Sequence, residues 1–130
     1  MARGRPLRVV IVGAGFGGIG AAIELRRHGI EDVTLLERAP ELGGTWWYNT
    51  YPGCVCDVPS HLYSFSFAQR RDWSRLCSPQ AEILEYLEEV ARSHGIDMPI
   101  CLSVEAVLAG RMEISGAIEA LLARPMKAEA

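Results

Sequence analysis

The sequence predicts an α/β fold organised around a parallel βαβ unit. Three observations carry that prediction. A short run of β-branched residues, Val9 to Val12, enters a glycine-rich turn, Gly13-x-Gly15-x-x-Gly18. A helical pattern follows at once. A second apolar run, Val33 to Leu36, then ends on an acid, Glu37, 19 residues after Gly18. Strand–helix–strand alternation builds a parallel sheet, and such a crossover is right-handed.

The first strand is expected over residues 7–12, buried as parallel strands are. Each glycine of the turn has a physical task. Gly13 permits the tight turn, Gly15 lets the backbone approach a pyrophosphate, and Gly18 lets the helix pack close to the strand. The first helix is expected over residues 16–28. Its N-terminus points N–H groups and partial positive charge at the phosphates, which adds Ala14 and Phe16 to the candidate cofactor contacts. Ile19, Ala22 and Ile23 share its apolar face, with Leu25 beside them. Arg26, Arg27 and His28 fill the last turn, where cations suit the dipole, and Gly29 sits where a left-handed cap is wanted. The second strand is expected over 32–36. A carboxylate at its end, Glu37, suits two ribose hydroxyls and repels a 2′-phosphate. This site is therefore expected to take FAD or NAD rather than NADP.

Residues 38–78 break the alternation. They hold Pro40, Gly43, Gly44, Pro52, Gly53 and Pro59, and most of the aromatic residues. A segment this long in a compact domain is usually functional or disordered, and its aromatic content argues against disorder. Ser78 and Pro79 then start a helix, a capping hydroxyl followed by proline at the first helical position. Its apolar stripe is Ile83, Leu84, Leu87, Val90 and Ala91, and Gly95 ends it. A strand over 99–108 and a short amphipathic helix over 113–124 complete the elements.

With 130 residues the chain holds one domain at most, and its 49% hydrophobic content can bury a core. A net charge of −3 and 13 scattered basic residues argue against nucleic acid. Residues 9–23 carry no charge, but the run is too short to span a bilayer and no cleavage site fits a secretory signal. A cytoplasmic protein without stable membrane insertion is expected. Cys54, Cys56, Cys77 and Cys101 form no C-x-x-C pair, and no histidine stands at a metal-ligand spacing, so no metal is expected. The thiols read as reduced. Cys54 and Cys56 are expected on opposite sides of one extended stretch. His28 and His94 suit helix C-termini. Ser60, His61 and Ser66 lack the G-x-S-x-G elbow that a hydrolase needs.

Residues 43–67 read GGTWWYNTYPGCVCDVPSHLYSFSF. In order they carry G-G-T-W, N-x-Y-P-G, C-D and S-x-x-Y-x-x-S-F. Over residues 7–98 the chain resembles the N-terminal FAD-binding segment of flavin-dependent monooxygenases, the Baeyer–Villiger enzymes and their flavin-containing monooxygenase relatives. The resemblance implies a partial Rossmann-like FAD-binding domain over 1–109, incomplete relative to that family, and a divergent tail over 110–130. Gly43 and Gly44 would let backbone lie against a flat cofactor, and Thr45 offers a hydroxyl to a phosphate or ribityl oxygen. Trp46, Trp47 and Tyr48 would wall an isoalloxazine and exclude water from it. Tyr63 could pack on or hydrogen-bond the cofactor. Arg38 joins Glu37 among the implied contacts, and Ala106 is the best match to a residue whose backbone meets the adenine. Val55, Cys56 and Asp57 match a stretch that also approaches the nicotinamide nucleotide. Asp57, an acid in an otherwise uncharged stretch, is the catalytic candidate. The plain alternatives are core packing for Trp46 and Trp47 and a turn cap before Pro59 for Asp57.

The resemblance also implies a reaction. NADPH reduces FAD, O2 adds to the reduced flavin, and the flavin peroxide oxygenates a ketone, an amine or a sulfide. The protein binds, orients and keeps the pocket dry. Family members are several times longer. They carry a second glycine-rich loop for NADPH, a downstream motif of Phe, Gly, His and Trp, and a C-terminal segment that completes the flavin domain. None of these occurs in the 130 residues, so the expectation is a fragment, missing a C-terminal half and inactive alone. A non-catalytic dinucleotide-binding fragment stays open as a reading. So does an NAD-dependent dehydrogenase module, which Glu37 permits but the G-G-T-W segment does not explain.

Overall fold

The computed structural model describes residues 7–96, 110 and 112–123. Strand β1 (Arg8–Val12) pairs in parallel with β2 (Asp32–Leu36), Val10 standing opposite Thr34. Helix α1 (Phe16–Arg27) joins them and packs against both. The βαβ unit is therefore present as the sequence implied.

One expectation about it fails. β1 is not buried: Val9 and Ile11 are half-covered, while Val10 is 61% and Val12 85% exposed. A parallel strand reads as a continuous apolar run because both its faces are normally covered. Among the described residues the sheet has two strands and α1 lies on one face.

α1 buries Ile19, Ala22 and Ile23, the predicted face. Its end is a Schellman cap. Gly29, at φ +83°, donates to the Arg26 carbonyl at 3.0 Å and Ile30 donates to that of Leu25 at 3.0 Å. Helix α3 (Gln80–Ser93) closes the same way, Gly95 (φ +65°) donating to Arg92 and Ile96 to Ala91.

Between β2 and α3 the chain forms one four-residue helix, α2 (Thr45–Tyr48), and otherwise loops. α3 organises this segment. Ile83, Tyr86, Leu87, Val90 and Ala91 of α3 share one core with Ile19 and Ile23 of α1, Trp46 and Cys56. The Tyr86 hydroxyl accepts the Phe65 N–H and donates to the Ala68 carbonyl, each at 2.8 Å. Arg70 ties the following loop to α3 through Glu85 at 3.3 Å and Glu89 at 3.8 Å, and also pairs with Asp72.

Two local expectations are corrected here. Ser78 does not cap α3. Pro79 takes the N-cap position, and Ser78 sits fully buried with its N–H donating to Ser60 Oγ at 2.8 Å. An antiparallel bridge explains this. Cys56 N donates to the Ser78 carbonyl and Gln80 N to the Cys54 carbonyl, both at 3.0 Å, which holds Ser78 in extended chain. Cys54 and Cys56 do not point to opposite sides either. Both pack on the core while Val55 between them is exposed, because residues two apart in extended backbone share a face.

Helix α4 (Ile114–Leu122) falls within the predicted 113–124 span, with Ile114 and Ile118 exposed. The strand expected at 99–108 lies outside the described residues. Among the described residues no helix is long and apolar enough to cross a membrane.

Candidate cofactor-binding site

The turn between β1 and α1 is fixed by backbone. Gly13 adopts φ +100°, a conformation that suits glycine, and its N–H donates to the Leu36 carbonyl at 2.7 Å. A Cβ on Gly18 would stand 1.8 Å from the Gly13 carbonyl oxygen, so only glycine allows α1 to start this close to the strand. Gly15 is the N-cap of α1. No side chain caps that end and no acid occupies the first turn. The opening N–H groups of a helix have no acceptor within it, so this terminus presents donors and partial positive charge. That donor set fits a phosphate.

The segment after β2 returns to this turn. Gly43 N donates to the Ala14 carbonyl at 2.8 Å. Gly43 and Gly44 both have positive φ, +128° and +56°. A Cβ added to Gly44 would lie 3.0 Å from Gly15 Cα, so the two glycine segments meet backbone to backbone. The G-G of G-G-T-W is thus a wall of the phosphate turn.

Glu37 closes the arrangement. Its Oε2 accepts the Ala14 N–H at 2.7 Å and its Oε1 the Ala39 N–H at 2.8 Å. Partial burial alone would raise its pKa. The N–H groups of Ala14, Ala39 and Arg38, with the Arg38 charge, outweigh burial and hold the carboxyl below its ordinary value. Arg38 itself lies over the Tyr48 ring, 5.7 Å from its centroid.

The aromatic candidates divide. Trp46 is 7% exposed; its indole N–H donates to the Tyr63 hydroxyl at 3.3 Å, and the rings meet edge-on. Phe16 packs on Tyr63 and Phe65, with centroids 4.8 and 5.1 Å away. Gln80 holds α2 in place by donating to the Trp46 carbonyl. Trp46, Tyr63 and Phe16 are therefore part of the core on which the glycine turn rests. Trp47 is half-buried beside Gly43, and Thr45 and Tyr48 are exposed. Cys56 is buried, while Val55 and Asp57 face solvent. Among the described residues the Asp57 carboxylate makes no hydrogen bond or ion pair, so it is not a turn cap.

The structure thus brings Gly13, Ala14, Gly15, Gly18, Glu37 and Gly44 into one cradle, with Arg38 and Tyr48 in contact beside Glu37. It does not join Asp57 to them, and Ala106 lies outside the described residues. Ala39 is the contact that sequence reasoning missed. It is buried at 3% exposure and supplies an N–H to Glu37. A small residue two places after the acid was its only signal. Two concavities, of about 740 and 410 Å3, lie along residues 61–76 and 68–93, away from the cradle. They have neither its glycine turn nor its helix terminus.

A parallel βαβ unit with a three-glycine turn and an uncapped helix N-terminus defines a nucleotide-binding α/β protein. The chain belongs to the family described as the NAD(P)-binding Rossmann-like domain, which matches residues 11–79. It is 59% identical over 90 residues to a Baeyer–Villiger monooxygenase of Streptomyces coelicolor, covering 69% of this chain and 17% of that protein. It is 48% identical over 89 residues to an FAD-binding monooxygenase of Aspergillus niger, covering 68% of this chain and 15% of that one. Among solved structures it resembles an oxidised steroid monooxygenase bound to NADP, with TM-score 0.64 and 43% identity over 68% of this chain and 18% of that chain. The chain therefore spans less than a fifth of the length of these relatives. All three are named monooxygenases and so are oxidoreductases; the Aspergillus protein is named for FAD binding, and the steroid monooxygenase structure holds NADP.

Proposed function

We propose that this chain is the FAD-binding portion of an NADPH-dependent flavoprotein monooxygenase. The observation that carries this is the cradle itself, a tight glycine turn braced by Glu37 and walled by Gly43–Gly44. The G-G-T-W wall is the feature an NAD-dependent dehydrogenase does not explain, and the likeness to named monooxygenases supports the same assignment.

In this reading the first turn of α1 holds the pyrophosphate of FAD, and Glu37 meets the adenosine ribose. Arg38, Thr45, Trp47 and Tyr48 lie further along the cofactor. Trp46, Tyr63 and Phe16 act from behind, as the packed floor that keeps the turn in place. Val55 and Asp57, exposed on the bridge segment, are offered to the nicotinamide nucleotide. Bound FAD supplies a carrier that takes electrons from NADPH and passes them to O2. Substrates of the whole protein would be a ketone, an amine or a sulfide, and its setting the cytoplasm.

FAD titration followed by flavin fluorescence tests the assignment. Saturable binding, weakened by about 1–3 kcal/mol in Glu37→Ala, is the expected result. No binding by the wild-type chain, or a preference for NADP over FAD, counts against it.

A further inference from the structure

Both oxygens of the Glu37 carboxylate are engaged by backbone donors. Ala14, fully buried, is the residue at which the glycine turn is gripped. Its N–H goes to Glu37 Oε2 at 2.7 Å and its carbonyl accepts Gly43 N at 2.8 Å. On its other side Gly13 N is held by Leu36 at 2.7 Å. Through Oε1 the same carboxylate also grips Ala39 N, at 2.8 Å, where the chain leaves β2. One side chain thus clamps the turn that precedes α1 to the turn that follows β2. These are charge-assisted bonds, the stronger kind.

We propose that Glu37 is a positioning residue for the phosphate turn, its carboxylate fixing Ala14 so that the first N–H groups of α1 are aimed at a phosphate whether or not a ribose is bound. This rests on the nucleotide-site assignment and deepens it: one residue sets both where the phosphate lies and which ribose is accepted. An ionised carboxylate offers about four acceptor positions, so the two roles are compatible. The lowered carboxyl pKa agrees with a group held ionised by backbone donors. Glutamine cannot substitute. It keeps one acceptor oxygen, and its amide NH2 would confront either Ala14 N–H or Ala39 N–H, donor against donor.

The test uses the full 130-residue chain and its Glu37→Gln variant. Inorganic pyrophosphate is the probe, since it has no ribose, with ADP as the companion ligand. The expected result is that E37Q weakens both by about fivefold or more, although it removes a negative charge that would repel pyrophosphate. The Ala14 amide, read by NMR hydrogen exchange without ligand, should lose protection and move upfield, while Leu87 in the core stays unchanged. A variant that loses ADP but binds pyrophosphate as well as before, or better, overturns the proposal and leaves Glu37 a ribose contact alone. If the wild-type chain binds neither ligand, the nucleotide-site assignment fails, and Ala14 exchange still judges the clamp. An Ala14 amide that exchanges in the unmodified chain as fast as an exposed loop overturns it, whatever the variant does.

Discussion

At the scale of single residues, the glycines of the turn separate three kinds of cost. Gly18→Ala places a methyl 1.8 Å from the Gly13 carbonyl, and neither partner is a flexible side-chain end. It should destabilise the chain by about 3 kcal/mol or more. Gly13→Ala meets no atom within 4 Å, yet forces a side chain into φ +100°; about 1–2 kcal/mol is expected. Gly15→Ala finds only ordinary contact, 3.6 Å from Gly44. It should melt close to wild type yet bind FAD more weakly, because its methyl enters the space where backbone approaches pyrophosphate. Thermal melting with and without FAD orders the three variants. The roles of Gly13, Gly18 and Gly29 were legible because the spacing of a tight turn and the end of a helical pattern leave few choices. The grip of Glu37 on Ala14 and Ala39 was not. It depends on two turns meeting across the sheet end, and spacing along the chain does not encode that.

Among the elements, α3 decides how the aromatic segment is held. Its predicted stripe, Ile83, Leu84, Leu87, Val90 and Ala91, does lie in or against the core, but Tyr86 was absent from it. A tyrosine on a helix has no assigned side until its hydroxyl finds partners, and these lie 18 and 21 residues away in sequence. Tyr86→Phe leaves the Phe65 N–H and the Ala68 carbonyl without their partner. A loss of about 1–3 kcal/mol is expected in urea melts, with exchange accelerating at Phe65 before it does in α1. The Ser78 cap failed for a related reason. Ser-Pro is a sound start signal for an isolated helix, but the bridge to Cys54 and Cys56 claims Ser78 for extended chain. The aromatics of G-G-T-W were visible from sequence as a group, but not their division. Trp46 faces the core because Gln80 and Tyr63 both bond it, while Tyr48 remains outside.

For the whole molecule, acid and the open sheet set the limits of stability. Glu37 and Glu82 both titrate below their ordinary value. Burial opposes this in Glu82, but the N–H and hydroxyl of Ser74, the Ser78 hydroxyl and the Arg70 charge prevail. Groups that bind protons less readily when folded stabilise above their unfolded pKa, here about 4.5. That contribution is lost as pH falls from there through the lower folded values. A melting series from pH 6 to about pH 3 should show it, and the Glu37→Gln, Glu82→Gln double variant should have a shallower acid limb. The βαβ order was plain in the sequence, but the exposure of Val10 and Val12 was not, because an apolar run does not say which of its side chains find a packing partner. That face, with Val10 and Val12 bare and two strands whose outer edges have no partner among the described residues, is a template for self-adhesion. Concentrated samples should scatter light and recruit further copies edge to edge. Val10→Lys would act as a gatekeeper, raising the concentration at which turbidity begins while leaving the phosphate turn that follows Val12 intact.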